Sequence, residues 1–157
     1  MKIIAVDPGG TTGIAEYNTV TEDLLQFQIG PDEHHDELNE YLWASLPNVI
    51  ICERFNYQRR DLDKGVSLVL VSREYIGVCK RYVQWYNRIN KDNNNLQVDL
   101  VMQQPSCMGL FTDRKLRKIG VYRPAMVHAN DATRHLFYYM TTEMKDNKWI
   151  FAAREPE

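Results

Sequence analysis

Two acidic residues of this chain each follow an apolar run that has the pattern of a buried strand. Asp7 ends the run that begins at Ile3, and Glu53 ends the run NVIICE. Two further residues able to bind a metal, His128 and Asp131, stand three apart in VHANDATRH, where a helical pattern begins. Side chains three apart on a helix share one face. If that helix crosses the sheet near the two strand ends, all four side chains converge.

Convergent carboxylates repel one another, and burial adds to the cost of keeping them ionised. Divalent cations compensate both costs; carboxylates suit Mg²⁺, and an imidazole also suits Mn²⁺. Two such ions about 3.5–4 Å apart can activate water on one side of a phosphodiester and stabilise the leaving oxygen on the other. The pattern therefore predicts a site of Asp7, Glu53, His128 and Asp131 for Mg²⁺ or Mn²⁺, two ions in number. His128 acts there either as a ligand or in proton transfer.

Each signal also has an ordinary structural explanation. Asp7 begins Asp-Pro-Gly-Gly, a common tight turn. Glu53 alone is as compatible with a salt bridge, and Asp131 with a helix start whose dipole favours an acid. His135, about two helical turns after His128, either supports the site from the same face or simply packs. The order of the motifs and the alternation of strands and helices favour the metal site.

The apolar periodicity predicts nine elements that place these motifs. The first three strands are spaced as an antiparallel meander, and the fourth, which ends at Glu53, is buried on both faces. The predicted strands are 3–7, 12–17, 24–29, 48–53 and 97–102. The predicted helices start near Pro31, span 61–89, follow Thr112 as far as Gly120, and span 130–144.

Length and composition favour one globular domain over residues 1–157, with 44% hydrophobic residues. We expect a soluble cytoplasmic protein without a membrane span, since no run of about eighteen apolar residues occurs. Cys52, Cys79 and Cys107 have no CxxC spacing and fit reduced structural thiols. Residues 1–40 hold one Lys and nine acids, whereas residues 41–157 hold eighteen bases and twelve acids. This asymmetry fits a basic face opposed to an acidic segment, and it also fits a mixed solvated surface, which is the usual outcome.

Basic residues cluster in two places that can contact phosphates, while neighbouring aromatic rings can stack on bases. Such runs are often only solvated helix faces. The candidate DNA-binding residues are Phe55, Tyr57, Arg59, Arg60, Lys64, Arg114, Lys115 and Lys118.

Three motifs, DPGGTTG, CERF and HANDA, resemble the RuvC-type Holliday junction resolvases of the RNase H-like superfamily, especially their small phage-encoded relatives. The resemblance spans residues 3–139. It implies an α/β fold with a five-stranded mixed sheet flanked by helices, and a metal site of Asp7, Glu53, His128 and Asp131. It also implies a homodimer that cuts a four-way DNA junction by paired incision, leaving 5′-phosphate ends.

The resemblance suggests further roles and differs at one site position. Phe55 and Tyr57 are candidates for an aromatic wedge in the junction, and helix 61–89 for the dimer surface. His128 replaces the first of two late acids. A phage-encoded relative would act in the host cytoplasm.

Three alternative functions remain open at the sequence level. The opening Asp-x-Gly-Gly-Thr also resembles the phosphate-binding hairpin of sugar kinases and actin-like ATPases, but 157 residues leave no room for their second lobe. A flap or general branched-DNA endonuclease would use the same site. A non-catalytic DNA-binding module of this fold would bind DNA and cleave none.

Overall fold

The computed structural model describes residues 1–31, 35–54 and 66–153, without the side chains of 66–68. The strands are β1 Lys2–Asp7, β2 Thr12–Asn18, β3 Leu24–Ile29, β4 Val49–Glu53 and β5 Asp99–Gln103. The helices are α1 Asp36–Ser45, α2 Val66–Ile89, α3 Asp113–Ile119, α4 Val127–Thr142 and α5 Lys148–Ala153. Short 3₁₀ helices span Asn94–Leu96 and Pro105–Leu110.

The five strands form one mixed sheet in the order β3-β2-β1-β4-β5. The first three strands pair antiparallel, and β4 and β5 run parallel to β1. Asp7 and Glu53 therefore end neighbouring parallel strands at the same edge of the sheet. The predicted five-stranded mixed sheet flanked by helices is confirmed.

Alternation along the strands divides the core into two layers. Val6 and Cys52 lie in the layer covered by α1 and α2. Ala5 and Ile51 lie in the opposite layer, which α4 covers. Asp7 and Glu53 each come two residues after a member of the α4 layer, so the strand period assigns both carboxylates to the face covered by α4.

Several boundaries differ from the sequence prediction. Helix α1 begins at Asp36, and Pro31 lies in a turn before it rather than in its first turn. Helix α4 begins at Val127, three residues earlier than expected, because its start lacks the usual Ser, Thr or Asp cap. Helix α5 was not predicted. The first five residues of predicted helix 61–89 lie outside the described residues.

Gly120 ends α3 as expected, with a left-handed φ of 83°. Among the described helices, none has the length and apolarity needed to cross a membrane.

The three cysteines are free, and Cys52 and Cys79 are buried in the layer of α1 and α2. A hydrogen bond with Cys79 and burial raise the pKa of the Cys52 thiol.

Candidate metal centre

One row of residues crosses all five strands on the α4 face, at the edge where β1, β4 and β5 end. Gln28 pairs with Gly13, and Gly13 pairs with Asp7. Glu53 pairs with Gln103, and the parallel pairing of Val6 with Cys52 puts Asp7 beside Glu53. Across the sheet, the order of the row is an amide, a glycine, two carboxylates and a second amide: Gln28, Gly13, Asp7, Glu53 and Gln103.

Gly13 lets the first turn of α4 rest directly on the sheet. A Cβ built on Gly13 would lie 1.9 Å from the carbonyl oxygen of His128 and 2.6 Å from the backbone nitrogen of Ala129. Any side chain at this position would push the helix away. The absence of a side chain thus sets the distance between His128 and the end of β1.

Side chains from elsewhere in the chain complete the start of α4. The Oε1 atom of Gln28 accepts hydrogen bonds from the backbone N–H of His128 at 3.0 Å and of Ala129 at 3.4 Å. It takes the place of a capping side chain, since Met126 supplies no such bond. The buried amide of Asn130 bonds both the N–H and the carbonyl of Arg123, which fixes the preceding loop.

The DPGG turn forms one wall of the site. Thr12, fully buried, accepts a hydrogen bond from the Gly9 N–H and donates one to the Gly9 carbonyl. A Cβ on Gly9 would lie 3.9 Å from Cε1 of His128, so the turn borders the imidazole directly.

Asp7, His128 and Asp131 meet at this point. Each offers one ligand atom, and these atoms lie within 4.8 Å of one another. Nδ1 of His128 lies 2.9 Å from Oδ2 of Asp7. Two carboxylates and an imidazole fit a divalent cation such as Mg²⁺ or Mn²⁺.

The electrostatic environment favours the charged form of His128. The hydrogen bond to Asp7 raises the pKa of the imidazole, and the charges of Asp7 and Glu53 act in the same direction. Partial burial opposes them and lowers it. The same negative charge that attracts a proton to His128 would attract a cation to the cluster.

Glu53 lies outside this three-residue cluster and has a partner of its own. Its Oε2 atom lies 2.7 Å from Nε2 of His135, whose Nδ1 lies 2.7 Å from Oε1 of Gln103. One ring nitrogen therefore faces an amide and the other faces a carboxylate. His135 is fully buried, so both ring nitrogens are used inside the protein. Of the two roles left open for His135, the contacts fit support of Glu53.

Arg134 connects Asp131 to the end of α3. Its guanidinium donates to Asp131 and to Asp113, and its Nε donates to the Phe111 carbonyl at 2.8 Å. The contact with Asp131 orients one carboxylate oxygen and partly balances its charge. The other oxygen of Asp131 is not engaged by Arg134.

The predicted DNA-binding residues are only partly described. Phe55, Tyr57, Arg59, Arg60 and Lys64 lie outside the described residues. Arg114 and Lys118 are exposed on α3. Lys115 is half-buried and donates to the Leu110 carbonyl at 2.7 Å. Their contact with DNA stays a prediction.

Four residues of the site were not found from the sequence: Gly13, Gln28, Gln103 and Arg134. Gly13 and Gln28 matter through strand register, and the sequence does not reveal which residues become neighbours across strands. Gln103 had a usable signal, since it is the last residue of β5 at the same edge as Asp7 and Glu53. Arg134 lies within the HANDATRH segment but beside no recognised motif residue.

Known structures share this architecture. The chain is similar to Thermus thermophilus RuvC in complex with a Holliday junction substrate, with a TM-score of 0.63 and 15% identity, covering 93% of this chain and 96% of that one. Another Thermus thermophilus RuvC structure is similar with a TM-score of 0.57 and 14% identity, covering 91% of this chain and 97% of that one. A Fowlpox virus resolvase in complex with substrate Holliday junction DNA has a TM-score of 0.46 and 14% identity, covering 90% of this chain and 98% of that one.

No protein-family model and no curated protein sequence matches the chain. At 14–15% identity the structural likeness establishes the fold and leaves the activity to the site. The chain has the fold of the RuvC-type resolvases.

Proposed function

We propose that this protein is a divalent-metal-dependent endodeoxyribonuclease that resolves four-way DNA junctions by paired incision. The observation that supports it most directly is the meeting of Asp7, His128 and Asp131 within 4.8 Å, beside the end of β4 that bears Glu53. The similar Thermus thermophilus RuvC is in complex with a Holliday junction substrate.

In this proposal each of the four side chains Asp7, Glu53, His128 and Asp131 has a role. Asp7 and Asp131 hold the metal, and Glu53 completes the site from the neighbouring strand. Two bound ions would activate the attacking water and stabilise the leaving 3′ oxygen, which leaves a 5′-phosphate end. His128 either binds the metal or takes a proton, since its Nδ1 faces Asp7 and its side chain is 41% exposed.

Three further residues hold the start of α4 and the Glu53 carboxylate in position. Gly13 and Gln28 fix the start of α4, and hence His128, against the end of β1. His135 holds one oxygen of Glu53, which restricts the rotation of that carboxylate before metal binds.

A homodimer is part of the proposal, because paired incision of a junction needs two active sites. The exposed apolar residues Trp85 and Ile89 lie one turn apart on α2, and Trp43 of α1 lines a shallow cleft together with Trp85. This patch supports the C-terminal part of α2, with the adjoining part of α1, as the dimer surface. Sedimentation of the wild type and of Trp85→Glu tests it: a dimer that becomes a monomer supports this surface, and an unchanged dimer rejects it.

The test of activity compares a labelled synthetic four-way junction with linear, flap and Y-shaped DNA of matched sequence. We expect paired cuts in the junction with Mg²⁺ or Mn²⁺ and none with EDTA. Asp7→Asn should lower cleavage by about a thousandfold or more and leave junction binding in EDTA intact.

The alternatives predict different products. A preference for flap or Y-shaped DNA would indicate a more general branched-DNA nuclease. Binding without cleavage of any substrate with either metal would indicate a non-catalytic DNA-binding module.

A further inference from the structure

A second charged feature lies just across β4 from the candidate metal centre. Arg54, Arg73 and Lys80 line an open cleft of about 370 Å³, with Ile76 and Met102 as its apolar lining. The cleft is basic, and it involves none of the residues that the sequence analysis singled out for DNA contact.

The alternation of side chains along β4 explains why Arg54 lies in this cleft. Glu53 belongs to the α4 face, and the next residue along an extended chain points to the opposite face. The backbone N–H of Arg54 donates to the Gln103 carbonyl at 2.6 Å, which continues the pairing of β4 with β5. Arg54 thus lines the α2 side of the sheet edge, next to the carboxylate of Glu53 in sequence.

Helix α2 supplies the other two cations. Arg73 and Lys80 are seven residues apart, so they lie on one helix face with Ile76 between them. Both side chains are exposed, and neither forms an ion pair with an acid in the part of the chain that the structure describes. Their positive charge is therefore available to a ligand.

We propose that this cleft binds the sugar-phosphate backbone of the DNA strand that enters the metal centre, a proposal that rests on the proposed nuclease function. Three cations around an apolar lining suit consecutive phosphates with sugar atoms packed on the lining. Glu53, the last residue of β4, then faces the phosphate that is cut, and Arg54, the next residue, faces phosphates further along the same DNA strand. The DNA strand thus crosses the edge of the β-sheet, from the face covered by α4 to the face covered by α2.

The experiment measures the affinity of a fluorescent four-way junction by anisotropy in EDTA, across a salt series, so that cleavage plays no part. The double variant Arg73→Gln/Lys80→Gln removes two cations of the cleft. Arg88→Gln/Lys91→Gln removes the same charges from the last turn of α2 and the turn after it, and serves as the matched control provided that sedimentation shows its oligomeric state to be that of the wild type. All substituted residues are exposed, and circular dichroism checks that each variant is folded.

We expect the cleft variant to bind the junction about tenfold more weakly at low salt and to lower the slope of log K against log salt by about 2, one phosphate for each charge. The control should change both quantities much less. Equal losses in the two variants would reject the cleft, as would a wild type that binds no DNA.

Cleavage by the wild type is measured separately with Mg²⁺ or Mn²⁺, so the two proposals fail separately. If the wild type cleaves DNA and the cleft variant loses no more junction affinity than the control, the nuclease proposal stands and the cleft proposal is rejected. A selective loss of binding in a protein that cuts nothing keeps the cleft and rejects the nuclease.

Discussion

Two histidines on α4, seven residues apart, each face an acid at the end of a strand, and their surroundings differ. His128 faces Asp7 and has a side chain that is 41% exposed, whereas His135 faces Glu53 and is fully buried. His128 uses Nδ1 for its acid, while His135 uses both nitrogens, for Glu53 and Gln103.

The difference shows how one residue type serves two purposes. The exposed imidazole keeps a nitrogen available for a metal or a proton, at the end of the helix where the backbone is held by Gln28 and by close approach to Gly13. The buried imidazole has both nitrogens in contact with protein side chains, which fits a role in holding Glu53 in place. Substitutions at either histidine, or at the residues that hold α4 against the sheet, test this difference.

The largest effect should come from Gly13→Ala, which disturbs the exposed end. The new Cβ would lie 1.9 Å from the His128 carbonyl oxygen, so α4 must move away from β1. We expect the free energy of unfolding to fall by about 1–3 kcal/mol. The affinity for Mn²⁺, measured by isothermal titration calorimetry, should fall about tenfold or more.

Gly77→Ala is the matched control for that substitution. A Cβ on Gly77 meets nothing within 4 Å, and Gly77 lies inside α2. The gain in helix propensity should raise the free energy of unfolding by up to about 1 kcal/mol. Equal changes in the two alanine variants, with Mn²⁺ affinity retained, would show that α4 accommodates a side chain at residue 13.

Substituting each histidine separately tests the comparison directly. His135→Ala empties a fully buried position and takes the imidazole away from the buried amide of Gln103, so the free energy of unfolding without metal should fall by about 1–3 kcal/mol. His128→Ala should lower it less, by about 1 kcal/mol or less, because the imidazole is 41% exposed, and what is lost is mainly its contact with Asp7. Urea unfolding in EDTA measures both.

A double-mutant cycle of His135→Ala with Glu53→Ala separates the pair from general loss of packing. We expect a coupling free energy of about 0.5–3 kcal/mol. Additive changes would mean that the contact at 2.7 Å contributes little, and that His135 is simply a packed residue.

The strands could be predicted because alternating and continuous apolar runs depend on local sequence, and so could the order of the motifs. The start of α4 was predicted three residues late because its cap, Gln28, comes from a strand 100 residues away in sequence. The pairing of Glu53 with His135 depends on strand register and helix placement together, so the sequence left two roles open. Arg134 was missed for the same reason, since its partner Asp113 belongs to another helix.

A smaller effect is expected from Gln28→Ala, which removes the hydrogen bonds to the N–H groups of His128 and Ala129. Loss of a helix cap should lower the free energy of unfolding by about 1 kcal/mol. Gln84→Ala, on the exposed surface of α2, is the matched control and should change it by less than about 0.5 kcal/mol. If the two variants are equally stable, water caps α4 as well as Gln28 does.

The smallest effect should come from Asp113→Asn, at the outer end of the Arg134 contacts. Asp113 is 55% exposed and Asp131 only 19%, although both accept from the same guanidinium. Water screens the outer pair, so the free energy of unfolding should fall by about 0.2–1 kcal/mol, and by less at high salt. Urea unfolding at low and high NaCl measures this loss. A larger loss that salt does not reduce would mean that Asp113 holds Arg134 in place, and that α3 is coupled through Arg134 to Asp131, one of the proposed metal ligands.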